Sequence, residues 1–207
     1  MGSKEGAIVQ LIQQPRSSWR GFTLVELMVT ITLLAILLAV AAPSFASWIR
    51  NTRVRTTSQV LQDGLRLAQA EAVRRNRTVS FFLTNVANPT ATSAAAANGS
   101  NWGVRTLTLI TGETAELVRS GALAGVVAGV NITGPSAVCF NAAGQQVANA
   151  AEGCAIDPTA PTVTYDIAHG GTVAGVDRAL RVTASLGGRV RMCDPAKTLS
   201  ATNPDGC

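Results

Sequence analysis

The sequence predicts an α+β fold: one long N-terminal helix, transmembrane in its first half, packed by its second half on an antiparallel β-sheet head. Three observations carry this reading. An apolar run extends from Phe22 to Ile49 with a single formal charge, Glu26, near its start. Beyond it, Val54, Ser58, Leu61, Leu65, Ala68 and Ala72 recur at spacings of three and four, the stripe of an amphipathic helix. From Thr78 onward, short strand-like segments are punctuated by Gly, Pro and Asn, as in antiparallel β-structure.

A helix rises about 1.5 Å per residue, so positions 22–49 reach roughly 42 Å, enough to cross a bilayer core of about 30 Å. A carboxylate within such a segment costs at least ~2.5 kcal/mol unless neutralised, which marks Glu26 as a functional residue. Pro43 removes a backbone donor inside the run and is expected to kink or locally melt the helix. The amphipathic half, with Arg53, Gln62, Arg66 and Gln69 off the apolar stripe, is expected to continue to about Arg75 or Asn76. Strands are then expected over Thr78–Leu83, Val104–Ile110, Ala115–Arg119, Val126–Ile132, Ala137–Asn141, Thr162–Ile167, Leu180–Ser185 and Arg189–Met192. The stretch Asn85–Asn101, rich in Asn, Ala, Thr and Ser, reads as a long mobile loop. Few aromatics follow it, so Val, Leu, Ile and Ala must fill the core.

The overall charge of +5 is unevenly spread. Residues 50–80 hold seven arginines (50, 53, 55, 66, 74, 75 and 77) against Asp63 and Glu71, whereas from Phe81 onward eight acids outweigh seven bases. The basic character therefore belongs to the helix and the first twenty residues, and the head carries no broad field to steer a polyanion. Four cysteines, Cys139, Cys154, Cys193 and Cys207, all follow the apolar run. On the oxidising side of a membrane an even count reads as two disulfides, with three connectivities open. The sequential pairing closes two short loops and would stabilise each by roughly 3 kcal/mol. There is no CxxC, and the single histidine, His169, lies in a His-Gly-Gly loop, so neither a metal nor a cofactor is expected. No nucleophile elbow, Walker glycine loop or paired His/Glu spacing occurs, and Asp157, Asp166 and Asp177 read as turn residues, so no enzyme is expected.

The run Gly21-Phe22-Thr23-Leu24-Val25-Glu26-Leu27, followed by MVTITLLAILLAVAAPSF, resembles the N-terminus of type IV prepilins and type II secretion pseudopilins. The resemblance implies a leader over residues 1–21, prepilin-peptidase cleavage between Gly21 and Phe22, N-methylation of Phe22, and pairing of Glu26 with a neighbouring subunit's N-terminal amine. It divides the chain into leader 1–21, transmembrane or filament-core helix 22–49, amphipathic helix 50–77 and a disulfide-bearing periplasmic head 78–207. The leader carries Lys4, Arg16 and Arg20 against Glu5, which suits retention on the cytoplasmic side of the inner membrane, although Arg50, Arg53 and Arg55 oppose that orientation.

Two further stretches, Leu65-Arg66-Leu67-Ala68-Gln69-Ala70-Glu71-Ala72-Val73-Arg74-Arg75 and Arg181–Ser185 leading to Gly188-Arg189-Val190-Arg191, resemble the GspH/FimT group of minor pilins (FimT, FimU) and minor pseudopilins (GspH). In transformation-linked FimT proteins a Gly-Arg-x-Arg motif at this place binds DNA, so the resemblance implies DNA contact through Gly188, Arg189 and Arg191, with Arg181 on the same polar face. Residues two apart on a strand share a face, which sets Arg189 and Arg191 about 6.5–7 Å apart, a separation close to that of successive phosphates. Partners implied are other pilin or pseudopilin subunits, the prepilin peptidase, the membrane and DNA without sequence specificity, as in DNA uptake. Arg74, Arg75 and Arg77 at the helix end are the alternative basic contact. The type II secretion pseudopilin stays open beside the pilus subunit.

Overall fold

The computed structural model describes residues 21–207, apart from 109, 111, 158, 160, 161 and 172–175. The chain divides into two compact units, Met1–Pro43 and Ser44–Cys207. Helix α1, Leu24–Arg75, supplies the described helical residues of the first unit and the opening element of the second. Of the kink or local melting expected at Pro43, the melting does not occur: the helix runs on without interruption and forgoes only one backbone donor there. Its C-terminal end is a Schellman motif. Asn76 adopts φ 52°, its N–H reaches the Val73 carbonyl at 3.3 Å, and the Arg77 N–H reaches the Ala72 carbonyl at 3.1 Å.

Within the second unit two antiparallel sheets form rather than one. β1 (Val79–Thr84), β2 (Asn101–Thr106), β3 (Leu117–Ala122), β5 (Ala137–Phe140) and β6 (Gln146–Val147) make a five-stranded sheet in the order β3-β2-β1-β5-β6. β4 (Val130–Thr133), β7 (Thr162–His169), β8 (Leu180–Ser185) and β9 (Val190–Cys193) make a second sheet in the order β4-β7-β8-β9. Alternation along a strand tells which residues face inward but not which strands pair, so the split into two sheets was not legible beforehand.

Three expected strands move. The segment expected over Val126–Ile132 begins as a helical turn, α2 (Ala124–Val127), and becomes strand only at Val130. Gly129, at φ 92°, reverses the chain between them, and a Cβ at Gly125 would stand 2.0 Å from Thr57 Oγ1. The strand expected over Val104–Ile110 starts earlier, since Asn101 and Trp102 pair with Ala122 and Gly121, and it ends at Thr106, with the Leu107 N–H bond to the Thr78 carbonyl as the last rung beside β1. The strand expected over Ala115–Arg119 lies at Leu117–Ala122, with a register shift opposite Val104 and Arg105. The Asn85–Asn101 loop is irregular but tied down. The Ala96 N–H donates to Leu83, and the buried Arg105 guanidinium donates to the carbonyls of Ala91 and Ser93 at 2.9 and 2.8 Å.

The helix stripe Val54, Leu61, Leu65, Ala68 and Ala72 is buried in one cluster with Phe81, Val104, Phe140, Tyr165, Ile167 and Val182. β1 is covered on both faces: Val79, Phe81 and Leu83 join that cluster, while Phe82 enters a second with Leu107, Ala137, Cys139 and Cys154. Gly64 lets the helix approach this strand, since a Cβ there would lie 2.6 Å from the Phe81 ring. Replacing Gly64 with Val is expected to cost about 1–3 kcal/mol by overpacking, read as a lowered midpoint in denaturant unfolding.

Candidate functional site

In the first unit Gly21, Phe22 and Thr23 precede the helix. Phe22 is 83% exposed, and nothing lies within 4 Å of a Cβ placed at Gly21. Residues 1–20 of the expected leader lie outside the described residues. Thr23 caps the helix, its Oγ1 accepting the Glu26 N–H at 3.2 Å, the spacing of a capping box. No side-chain bond holds the exposed Glu26 carboxylate among the described residues. From Phe22 to Phe45 the apolar side chains are exposed on every face of the helix, and the segment is long and apolar enough to cross a membrane. Such a surface needs lipid or other chains around it.

The second unit explains the arginines that follow. Arg50 Nε donates to both oxygens of Asp177 at 3.0 and 3.1 Å, and the Asp177 side chain is 3% exposed. Asn51 brackets the same loop. Its Nδ2 donates to the Val176 carbonyl at 3.1 Å, and its Oδ1 accepts the Arg178 N–H at 2.8 Å. Arg53 donates to the Ala128 carbonyl. Arg50 and Arg53 thus dock the head on the helix, which gives a structural role to two of the three arginines that opposed the expected orientation.

At the helix end Arg74 and Arg75 both grip Glu71, Arg75 also pairs with Glu116, and Arg77 pairs with Glu113 and donates to the Leu107 carbonyl. The alternative basic contact is therefore a set of neutralised arginines.

The C-terminal hairpin separates its residues by partner. Arg181 meets Asp166 through two bonds, Nε to Oδ1 at 2.6 Å and Nη2 to Oδ2 at 3.1 Å, and this pairing raises its already high pKa. Asp166 and Asp177, expected as turn residues, are ion-pair partners instead; Asp157 does make a turn with the Thr159 N–H. Arg191 donates to the Pro204 and Gly206 carbonyls, which leaves its charge unmatched. The exposed Arg189 has no side-chain hydrogen bond or ion pair among the described residues. Gly188, at φ 85°, is buried, and a Cβ there would meet the Gly144 carbonyl oxygen at 2.0 Å and Gln69 Nε2 at 2.2 Å. Its lack of a side chain seats the turn on the protein itself. The disulfides are Cys139–Cys154 and Cys193–Cys207, and the second closes the C-terminal loop on which Arg191 rests.

Residues 57–202, well over half of the chain, match the family of type II transport protein GspH, and residues 20–42 match the prokaryotic N-terminal methylation motif. The chain belongs to the GspH family. No curated protein matches the sequence. Among solved structures, the type IV minor pilin FimU of Pseudomonas aeruginosa is 18% identical, with a TM-score of 0.47, covering 72% of this chain and 95% of that one. The minor pseudopilin EpsH from the type 2 secretion system of Vibrio cholerae is 14% identical, with a TM-score of 0.46, covering 70% and 99%.

In this GspH-family chain, sequence reasoning missed the docking role of Asn51 and the partners of Arg50 and Arg181. Arg50 and Asp177 stand 127 positions apart, and no local pattern links them. One pairing has a readable pH signature. The hydrogen bonds from Arg74 and then Arg75 lower the Glu71 pKa to about 2. A folded-state value below the unfolded one gives stability above the ordinary carboxylate range, lost as pH falls through it toward 2. The stability advantage of wild type over Glu71→Gln is expected at neutral pH and should shrink between about pH 4.5 and 2 in unfolding titrations.

Proposed function

We propose that this chain is a minor pilin of a type IV pilus. Residues 1–21 form a leader removed between Gly21 and Phe22, and Phe22 is then methylated. Residues 22–49 hold the subunit in the inner membrane and later in the filament core, residues 50–77 complete the helix, and the head over 78–207 faces the periplasm. The observation that carries this reading is an apolar helix exposed on every face, starting at the methylation motif and carrying one unpartnered carboxylate. In the filament Glu26 pairs with a neighbour's N-terminal amine, which offsets the cost of burying the carboxylate. The subunit also contacts DNA weakly, through phosphates alone, at Arg189 and Arg191. Arg181 contributes little, because Asp166 already matches its charge.

A minor pseudopilin of a type II secretion system is the second reading, favoured by the description of the matching family. Its helix would assemble in the same way.

Glu26→Ala is expected to remove the subunit from sheared filaments while the head keeps its unfolding midpoint, since breaking one buried charge pair costs about 3–5 kcal/mol. Wild-type incorporation of the variant, measured by immunoblot of filaments against total membranes, would rule out the pairing.

A further inference from the structure

We infer that Arg66, on helix α1, is a third phosphate contact of the C-terminal hairpin, so that the polyanion lies along the outer edge of β9 at Val190, short of the C-terminal loop that pairs with Asp194, rather than across the hairpin tip. The inference rests on the DNA-binding reading above and adds a residue and a direction to it.

β9 is the terminal strand of its sheet. The Arg189 carbonyl accepts the Ser185 N–H at 3.1 Å and so points toward β8. Successive carbonyls of a strand point to opposite sides, which turns that of Val190 to the unpaired edge. Arg66 Nη2 meets it there at 3.3 Å. A single interaction near the outer limit of hydrogen-bond length occupies one of the five guanidinium donors. The contact brings the Arg66 head to the level of Val190, between Arg189 and Arg191 along the chain.

Charge and position together single out these three: Arg53, Arg55, Arg119 and Arg178 likewise form no ion pair among the described residues, but none of them bonds to β9. Arg50, Arg74, Arg75, Arg77, Arg105 and Arg181 each hold a carboxylate. Arg66 and Arg191 bond only to carbonyls, which leaves their positive charge in place, and Arg189 bonds to nothing described. Of the acids near in sequence, Asp194 accepts the Ala196 N–H and lies 4.0 Å from Lys197, and Asp63 makes no ion pair among the described residues. Three arginines without a carboxylate are therefore attached at three consecutive strand positions, whose backbone spans about 7 Å. Arginine's planar fork suits phosphate oxygens, and a backbone with regularly spaced phosphates is the ligand that such a row fits.

The test uses the full-length chain in detergent micelles with a fluorescent random-sequence duplex, followed by anisotropy from about 50 to 200 mM salt. Arg66→Gln removes the charge and keeps a polar side chain, though its shorter amide no longer reaches the Val190 carbonyl; Arg66→Lys restores the charge. The expected result for Arg66→Gln is affinity lowered roughly three- to tenfold and a salt slope reduced by about 0.9, with the slope recovered in Arg66→Lys. Arg189→Ala/Arg191→Ala should lower both quantities further. If Arg66→Gln keeps the wild-type slope while the double variant loses it, Arg66 is only a cap on the sheet edge and the inference fails alone. If folded wild type binds no duplex at the lowest salt, the DNA reading fails and takes the inference with it.

Discussion

The packing of one face of helix α1 against β1 is the constraint on which the second unit depends. Val54, Leu61, Leu65, Ala68 and Ala72 form the long helical wall of its main core, and Phe81 approaches so closely that position 64 has no room for a side chain. Both sheets contribute to that cluster, Phe81 and Phe140 from one and Tyr165, Ile167 and Val182 from the other, so the stripe holds the two together. Tyr165 is buried with its hydroxyl unpartnered among the described residues, and burial pushes its pKa up. The core accepts that cost for the volume of the ring.

The same helix meets a different demand in its apolar half. No residue from Leu24 to Phe45 is buried by the chain itself. Where the apolar run ends, Arg50, Asn51 and Arg53 dock the head through side chain to loop contacts rather than through apolar burial. Polar docking at this level lets a single helix change surroundings within a few residues. It also gives Arg50 and Arg53 a role after the apolar run: Arg50 pairs with Asp177, and Arg53 donates to a backbone carbonyl.

Much of this was legible in the sequence because it is periodic or local. The stripe over 54–72, the helix end near Arg75, the strands at 78–83, 137–141, 162–167 and 180–185, and two short cysteine spacings all come from patterns that a chain carries on its own. The rest depended on partners far along the chain. Val126 and Val127 read as strand because β-branched residues favour it, but Gly125 packs against Thr57 and Gly129 turns the backbone. Arg181 read as a companion to Arg189 because alternation gives the face of a strand and not the Asp166 carboxylate on the strand beside it. Gly188 read as part of the DNA contact, yet the protein's own Gly144 and Gln69 lie against it.

The central claim is that this chain is a processed pilin-type subunit, and the mass of its N-terminal peptide after purification from membranes tests it most directly. The account predicts a peptide beginning at Phe22 and carrying one added methyl group. A peptide that retains residues N-terminal to Phe22, or one cut elsewhere in the apolar run, would contradict it.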